Sequence, residues 1–196
     1  MKGYAIEDMD ARAAAALAYH RKYVAQSLEM YAARLAKRRA LGAPTLAVLG
    51  MGRAGKDTAA MYFGDTTELH YSGSSSNRLC RFVSHMVDLS EEQAFQERHD
   101  HRQFWIEAGH AIRRTDMTLL ARIGLGHGDM AIGLRGLHEV YACRRDGIVD
   151  AMLWIDNHRA AVDPTVEFTA SDCDLVIPNH GSHTEFYQKL DKLIEL

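Results

Sequence analysis

The seven residues from Gly50 to Lys56, Gly-Met-Gly-Arg-Ala-Gly-Lys, fit the pattern GxxxxGK. That spacing suits one kind of chemistry. Backbone N–H groups wrap an anionic phosphate at a helix N-terminus, and the lysine ammonium reaches the β- and γ-oxygens of a triphosphate. Asp57 and Thr58 follow at once and bring a carboxylate and a hydroxyl toward a magnesium ion. Which of the two would meet the metal stays open at this point. The same letters satisfy GxGxxG through Gly50, Gly52 and Gly55, the dinucleotide fingerprint. That fingerprint needs an acidic residue about 20 positions on, at the end of the second strand. The strand expected at 68–71 ends in Tyr71-Ser72-Gly73, and Glu68 stands at its beginning. Lys56 favours the triphosphate reading over a dehydrogenase and over a purely structural turn.

Other residues could serve an anionic ligand. Ser74, Ser75, Ser76 and Arg78 open an expected helix, whose N-terminus would cradle a monophosphate; the alternative is that the serines only form the turn and its cap. Arg135 directly follows an apolar stretch, and its planar fork suits a phosphate or a base edge. Glu139, one helical turn on, is placed to orient it. The eleven histidines include His99-Asp100-His101 and His180-Gly181-Ser182-His183, but neither spacing suits a zinc site.

The elements that must position these residues read as alternating strands and helices. A chain of 196 residues, 47% hydrophobic and 25% charged, can bury the core of one α/β domain. Its formal net charge of −3 gives no global field for nucleic acid. Three scattered cysteines, no membrane-length apolar run and no signal-peptide core lead to the expectation of a soluble cytoplasmic protein. Residues 6–41 read as one helix with Leu17, Val24, Leu28, Tyr31 and Leu35 on a sticky face, ended by Gly42-Ala43-Pro44. That face would pack on the sheet or on a second copy of the chain, making a homodimer. The basic end, Arg34 to Arg39, would touch nucleic acid or simply complement the helix dipole. Further helices are expected at 56–63, 77–87, most of 91–123, 137–145 and 183–196, and strands at 68–71, 129–134, 151–155 and 174–178. Such an alternation implies a parallel sheet covered on both faces, with ligands at the carboxyl ends of its strands.

Three pieces, GKDT at 55–58, LRGLHE at 134–139 and IPNHGS at 177–182, occur in the order found in the bacteriophage-type deoxynucleoside monophosphate kinases, a branch of the P-loop NTPases, and the chain resembles that family over residues 45–196. The resemblance implies a P-loop NTPase-like three-layer α/β fold with a mostly parallel central sheet and a helical insert. Residues 1–44 would be an extra N-terminal helical extension. It also implies transfer of the γ-phosphoryl of ATP, with Mg²⁺, to a deoxynucleoside monophosphate, in a host cytoplasm if the gene is a phage's. Carried over residue by residue, Gly50, Gly52, Arg53, Ala54, Gly55, Lys56, Asp57, Thr58, Asn179 and Gly181 would hold the donor, with Asp57 toward the metal. Ser74, Ser75, Arg78, Arg102, Trp105 and Arg135 would hold the acceptor, and Lys56, Arg135, Arg159 and Glu139 would act in the transfer. Glu167, in Asp163-Pro-Thr-Val-Glu, matches a family segment that follows the lid. One position departs: the family places an Asp two residues before the arginine, where this chain has Gly133. Asp57, Glu107 and Glu139 are the carboxylates that could stand in. Two alternatives accompany this reading: a P-loop kinase of a modified base such as 5-hydroxymethyluracil in DNA, and a nucleotide-binding module without chemistry.

Overall fold

The computed structural model describes residues 3–194. Four short strands, β1 (Leu46–Leu49), β2 (Met130–Ile132), β3 (Ala151–Asp156) and β4 (Leu175–Pro178), form one sheet in the order β2-β1-β3-β4 with every pairing parallel. The registers are fixed by pairs such as Ala47 with Ala131 and Met152, and Trp154 with Val176. Strands covered on both faces need continuous apolar runs, and Leu46-Ala-Val-Leu49 and Met152-Leu-Trp-Ile155 are such runs. The helices are α1 (Met9–Tyr19), α2 (Arg21–Ala40), α3 (Lys56–Thr66), α4 (Ser75–Val87), α5 (Glu91–Gln96), α6 (Arg102–Thr115), α7 (Leu119–His127), α8 (Leu137–Arg145) and α9 (His183–Ile194).

Alternating strand residues sort the helices into two covering layers. Val48, Leu153 and Ile155 face α3 and α9 through Phe63, Phe186 and Leu190. Ala47, Leu49, Met152 and Trp154 face α7 and α8 through Leu125, Val140 and Cys143. Each fully buried side chain of this size stabilises by about 1.5–3 kcal/mol. A third core lies in the helical part, where Met9, Ala13 and Ala16 of α1 meet Phe82, Val83 and Met86 of α4 and Phe104, Ala108 and Ile112 of α6. The chain leaves β1 for β2 on one side, while β3 lies on the other. The carboxyl end of β1 is therefore a topological switch point, where α/β sheets leave a crevice.

Three expectations need correction. Residues 6–41 are two helices, broken at His20, which ends α1 and begins α2 with φ −90° and ψ 14°. The break lets α1 lie on α4 and α6 while α2 lies on α7, and the apolar face carrying Leu17, Val24 and Leu28 is spent on the chain's own helical core. Residues 68–71 run beside β2 without joining the ladder: His70 N–H donates to the Asp129 carboxylate at 2.8 Å, and Asp129 N–H donates to His70 O at 2.9 Å. Side-chain capture of the donor stops the pairing there. The strand expected at 129–134 is shorter, because buried Asp129 is committed to Arg34 and Arg38, each at 3.3 Å, and Gly133 turns the chain with φ +81°. Within the basic stretch 34–39, Arg38 also donates to Pro44 O and Arg39 to Gly147 O. Helices α2 and α7 touch so closely that a Cβ on Gly126 would collide with the Ser27 carbonyl. No helix among the described residues is long and apolar enough to cross a membrane.

Candidate active site

The 50–56 loop stands at the carboxyl end of β1, at the switch point. Its shape depends on backbone that a side chain would spoil. Gly50 has φ +138°, and a Cβ there would lie 2.5 Å from Ile155 O; Gly55 has φ +104°, and a Cβ there would lie 2.5 Å from the Asn179 amide nitrogen. Arg53 also adopts positive φ, 61°, with its side chain exposed, and Ala54 is fully buried. The Asn179 side chain donates to Ala54 O at 2.9 Å and clamps the loop from the end of β4. Lys56 folds back over the loop, its ammonium donating to Gly50 O at 2.9 Å and Met51 O at 2.6 Å. Burial, and then the nearby Arg135 guanidinium, pull its pKa down to about 8, against the attraction of Asp57 and Asp163. Thr58 lies in the first turn of α3, and Asp57 accepts a hydrogen bond from the Tyr71 hydroxyl at 2.8 Å.

Beside the loop a cleft opens between α4, α6 and the residues following β2, with about 710 Å³ of free space including its mouth. Four arginines line it, Arg98, Arg102, Arg113 and Arg135, over an apolar floor of Leu79, Ile106 and Leu120. Ser75 and Trp105, two of the residues expected to hold the acceptor, line it too. Ser75 donates to Gly133 O at 2.7 Å, and a Cβ on Gly133 would stand 3.1 Å from that hydroxyl, so the position where the resemblance expects an Asp is occupied by the Ser75 contact. Trp105 is 7% exposed, lies in the helical core against Phe95, and its indole N–H has no hydrogen-bond partner among the described residues.

Loop and cleft meet at Asp163, on the segment after β3. One carboxylate oxygen takes Arg102 Nη2 at 2.8 Å and the Thr165 hydroxyl at 2.6 Å; the other takes Arg135 Nη1 at 2.6 Å and lies 3.3 Å from where a Cβ on Gly52 would be. Burial alone would push this carboxyl up, but the hydrogen bonds from Thr165, Arg135 and Arg102 outweigh it and hold Asp163 well below the usual carboxylate range. It is an ionised group packed between four donors.

Several predicted residues do other work. Glu139 does not pair with the Arg135 guanidinium; fully buried, it accepts the Arg135 backbone N–H at 3.2 Å and faces Arg113 at 3.6 Å, and its second oxygen has no partner among the described residues. Burial raises its pKa, opposed by Arg113 and by the N–H groups of Arg135 and Gly136. Arg78 turns back to the Ser72 carbonyl and does not line the cleft. Ser74 is a cap, its N–H and hydroxyl both donating to Asn77 Oδ1. The Arg159 side chain is exposed, with no partner among the described residues, in the turn after β3. Gly181 sits at the start of α9, against the Glu185 carboxylate. Glu167 ties the 163–167 segment to the cleft, its N–H donating to Arg135 O at 2.9 Å and its carboxylate accepting Leu137 N–H at 3.1 Å. Glu107 holds Gln103 at 3.0 Å.

Sequence reasoning missed Asp163, Thr165, Arg98 and Arg113 as site residues. Asp-Pro-Thr carries a local signal, since Asp163 also accepts Thr165 N–H at 3.1 Å as such turns do. Arg98 and Arg113 lie in charged helical stretches that give no sign of facing inward. Among the described residues no three His, Cys, Asp or Glu side chains converge as a metal cage. A magnesium ion that takes its ligands mostly from phosphates and water needs only one or two carboxylates, and Asp57 beside Lys56 fits that demand. Compared with known proteins, the chain matches no family model and no curated protein.

Proposed function

We propose that this protein is a P-loop kinase that transfers the γ-phosphoryl of ATP to a deoxynucleoside monophosphate. The observation that carries the reading is the adjacency at Asp163: a glycine loop of phosphate-binding pattern and an arginine-lined, apolar-floored cleft share one carboxylate. Phosphoryl transfer asks for in-line positioning and positive charge, and seats for two phosphates side by side provide both. The 50–56 backbone and Lys56 would bind the donor, and Asp57 would hold the magnesium that offsets phosphate charge. Arg102 and Arg135 would take the acceptor phosphate, while Leu79, Ile106 and Trp105 would flank its nucleoside. Lys56 has only to release two carbonyl oxygens to reach a phosphate, and a bound phosphate would restore its full charge.

The test is radiolabelled γ-phosphate transfer from ATP and magnesium to each deoxynucleoside monophosphate, with hydroxymethyluracil-containing DNA in parallel. Label in a deoxynucleoside diphosphate, lost in Lys56→Ala, supports the reading and names the base. Label only in DNA moves the acceptor to the polymer. ATP bound without transfer to anything would leave a nucleotide-binding module.

A further inference from the structure

Residues 157–167 form a strap between two fixed points, the buried end of β3 at Ile155 and the buried ring of Phe168. Its outer surface is bare: Val162 is 83% exposed and Arg159 points to solvent. Asp163, next to Val162, is the strap's buried charge, and its side chain is 6% exposed.

The way Asp163 is held is informative. It engages each arginine through a single guanidinium nitrogen, Nη2 of Arg102 and Nη1 of Arg135, although a carboxylate and a guanidinium can meet through two parallel bonds. Arg135 Nη1 also donates to the Thr165 hydroxyl at 2.7 Å; the other guanidinium N–H groups of Arg102 and Arg135 have no protein partner among the described residues. A phosphate has three terminal oxygens and up to two negative charges, so it can use those N–H groups where Asp163 cannot. The carboxylate also lies against Gly52, on the line between loop and cleft.

We propose that Asp163 is a resident competitor for phosphate: its carboxylate occupies the anion seat formed by Arg102 and Arg135, and an incoming phosphate takes over both arginines and releases the strap. The inference rests on the kinase reading only in naming that phosphate as the acceptor's. Arg102 and Arg135 stay aligned without ligand, at the expense of affinity, because only the fraction of molecules with Asp163 displaced can bind. Thr165 follows Asp163, since its hydroxyl bonds to both Asp163 and Arg135.

Inorganic phosphate is the probe, titrated calorimetrically into the unaltered protein and into Asp163→Asn, a near-isosteric change that removes the charge. The expected result is at least about tenfold tighter binding by the variant, with the gain abolished when Arg102→Ala is added. Equal or weaker binding by a folded Asp163→Asn overturns the proposal. If that variant does not fold, amide hydrogen exchange of the unaltered protein decides. Phosphate should accelerate exchange at the Thr165 N–H, which Asp163 accepts at 3.1 Å, and unchanged or slower exchange overturns the proposal. The two readings fail separately. Tighter phosphate binding with no transfer from ATP to any acceptor sinks the kinase and supports the competitor; transfer without tighter binding does the reverse.

Discussion

The glycine loop and the arginine cleft adjoin, yet they are made from different materials. The loop is backbone: its N–H groups, two positive-φ glycines and the clamp from Asn179 are set by seven consecutive residues and one strand end. The cleft is side chains, brought by α4, α6, the turn after β2 and the strap after β3. A backbone site tolerates most changes of side chain and fails when a Cβ is added. A site of charged side chains tolerates small shape changes and fails when a charge goes unpaired. Lys56 and Asp163 are the exchange between the two regions, a cation folded into the loop and an anion folded into the cleft.

That contrast can be broken or sharpened by experiment. Lys56→Ala should lower phosphoryl transfer about a hundredfold to a thousandfold, the range for losing one pre-aligned donor, while circular dichroism still reports a folded protein. Unfolding of this variant would mean that the lysine belongs to the fold rather than to the site. Gly50→Ala should destabilise by about 3 kcal/mol in chemical denaturation, because φ +138° and the Ile155 carbonyl both oppose a methyl group. A loss below about 0.5 kcal/mol would show that the loop is softer than a backbone site should be. Arg135→Lys, which keeps the charge and loses the fork, should raise the acceptor KM about tenfold, the factor carried by one charge-assisted hydrogen bond of roughly 1.5 kcal/mol. Full activity there would reduce the cleft to a matter of net charge.

The lysine also predicts a pH dependence. Its folded pKa, about 8, lies below the ordinary lysine value of 10.5, so between these values the unfolded chain binds more protons and stability must rise with pH. Urea unfolding compared between the protein and Lys56→Met should show that rise in the former and a smaller one in the latter, a difference of up to about 3 kcal/mol. Phosphate binding at pH 9 should accompany proton uptake, readable by calorimetry in two buffers of different ionisation enthalpy. The smallest expected effect is at Arg34→Ala, which removes one half-exposed partner of Asp129 and should lower stability by no more than about 1 kcal/mol. Any change in DNA affinity on that substitution would revive the polymer as acceptor.

The sequence makes the two regions unequally legible, for the same physical reason. Gly50, Gly55 and Lys56 act within seven residues, so spacing alone announces the loop, and the apolar runs of β1 and β3 announce the strands that carry it. The all-parallel sheet and its two helical layers follow from the same alternation. Asp163 acts on residues 61 and 28 positions away, and no local pattern encodes such a pairing. Glu139 was placed by its one-turn spacing from Arg135, but burial took its carboxylate to the backbone N–H and to Arg113 instead. Arg34 and Arg38 look like a surface charge run because their partner, Asp129, lies about 90 residues downstream; it is 95 from Arg34. The break at His20 has no glycine or proline to mark it. It exists because α1 and α2 answer to different neighbours.

The contact between α2 and α7 joins Ser27 to His127, one hundred positions apart, through a hydrogen bond of 3.0 Å. During synthesis the first two helices leave the ribosome long before their seat is made. At roughly 5–20 residues per second, α2 waits about 5–20 s for α7 to follow it out. Until α4 and α6 emerge, the stripe of Met9, Ala13 and Leu17 on α1 is likewise without the partners that bury it, and an isolated helix as short as α1 is marginal in water. The nascent chain therefore presents an apolar stripe before the surfaces that cover it, and at that stage of translation the stripe is open to aggregation and to chaperones.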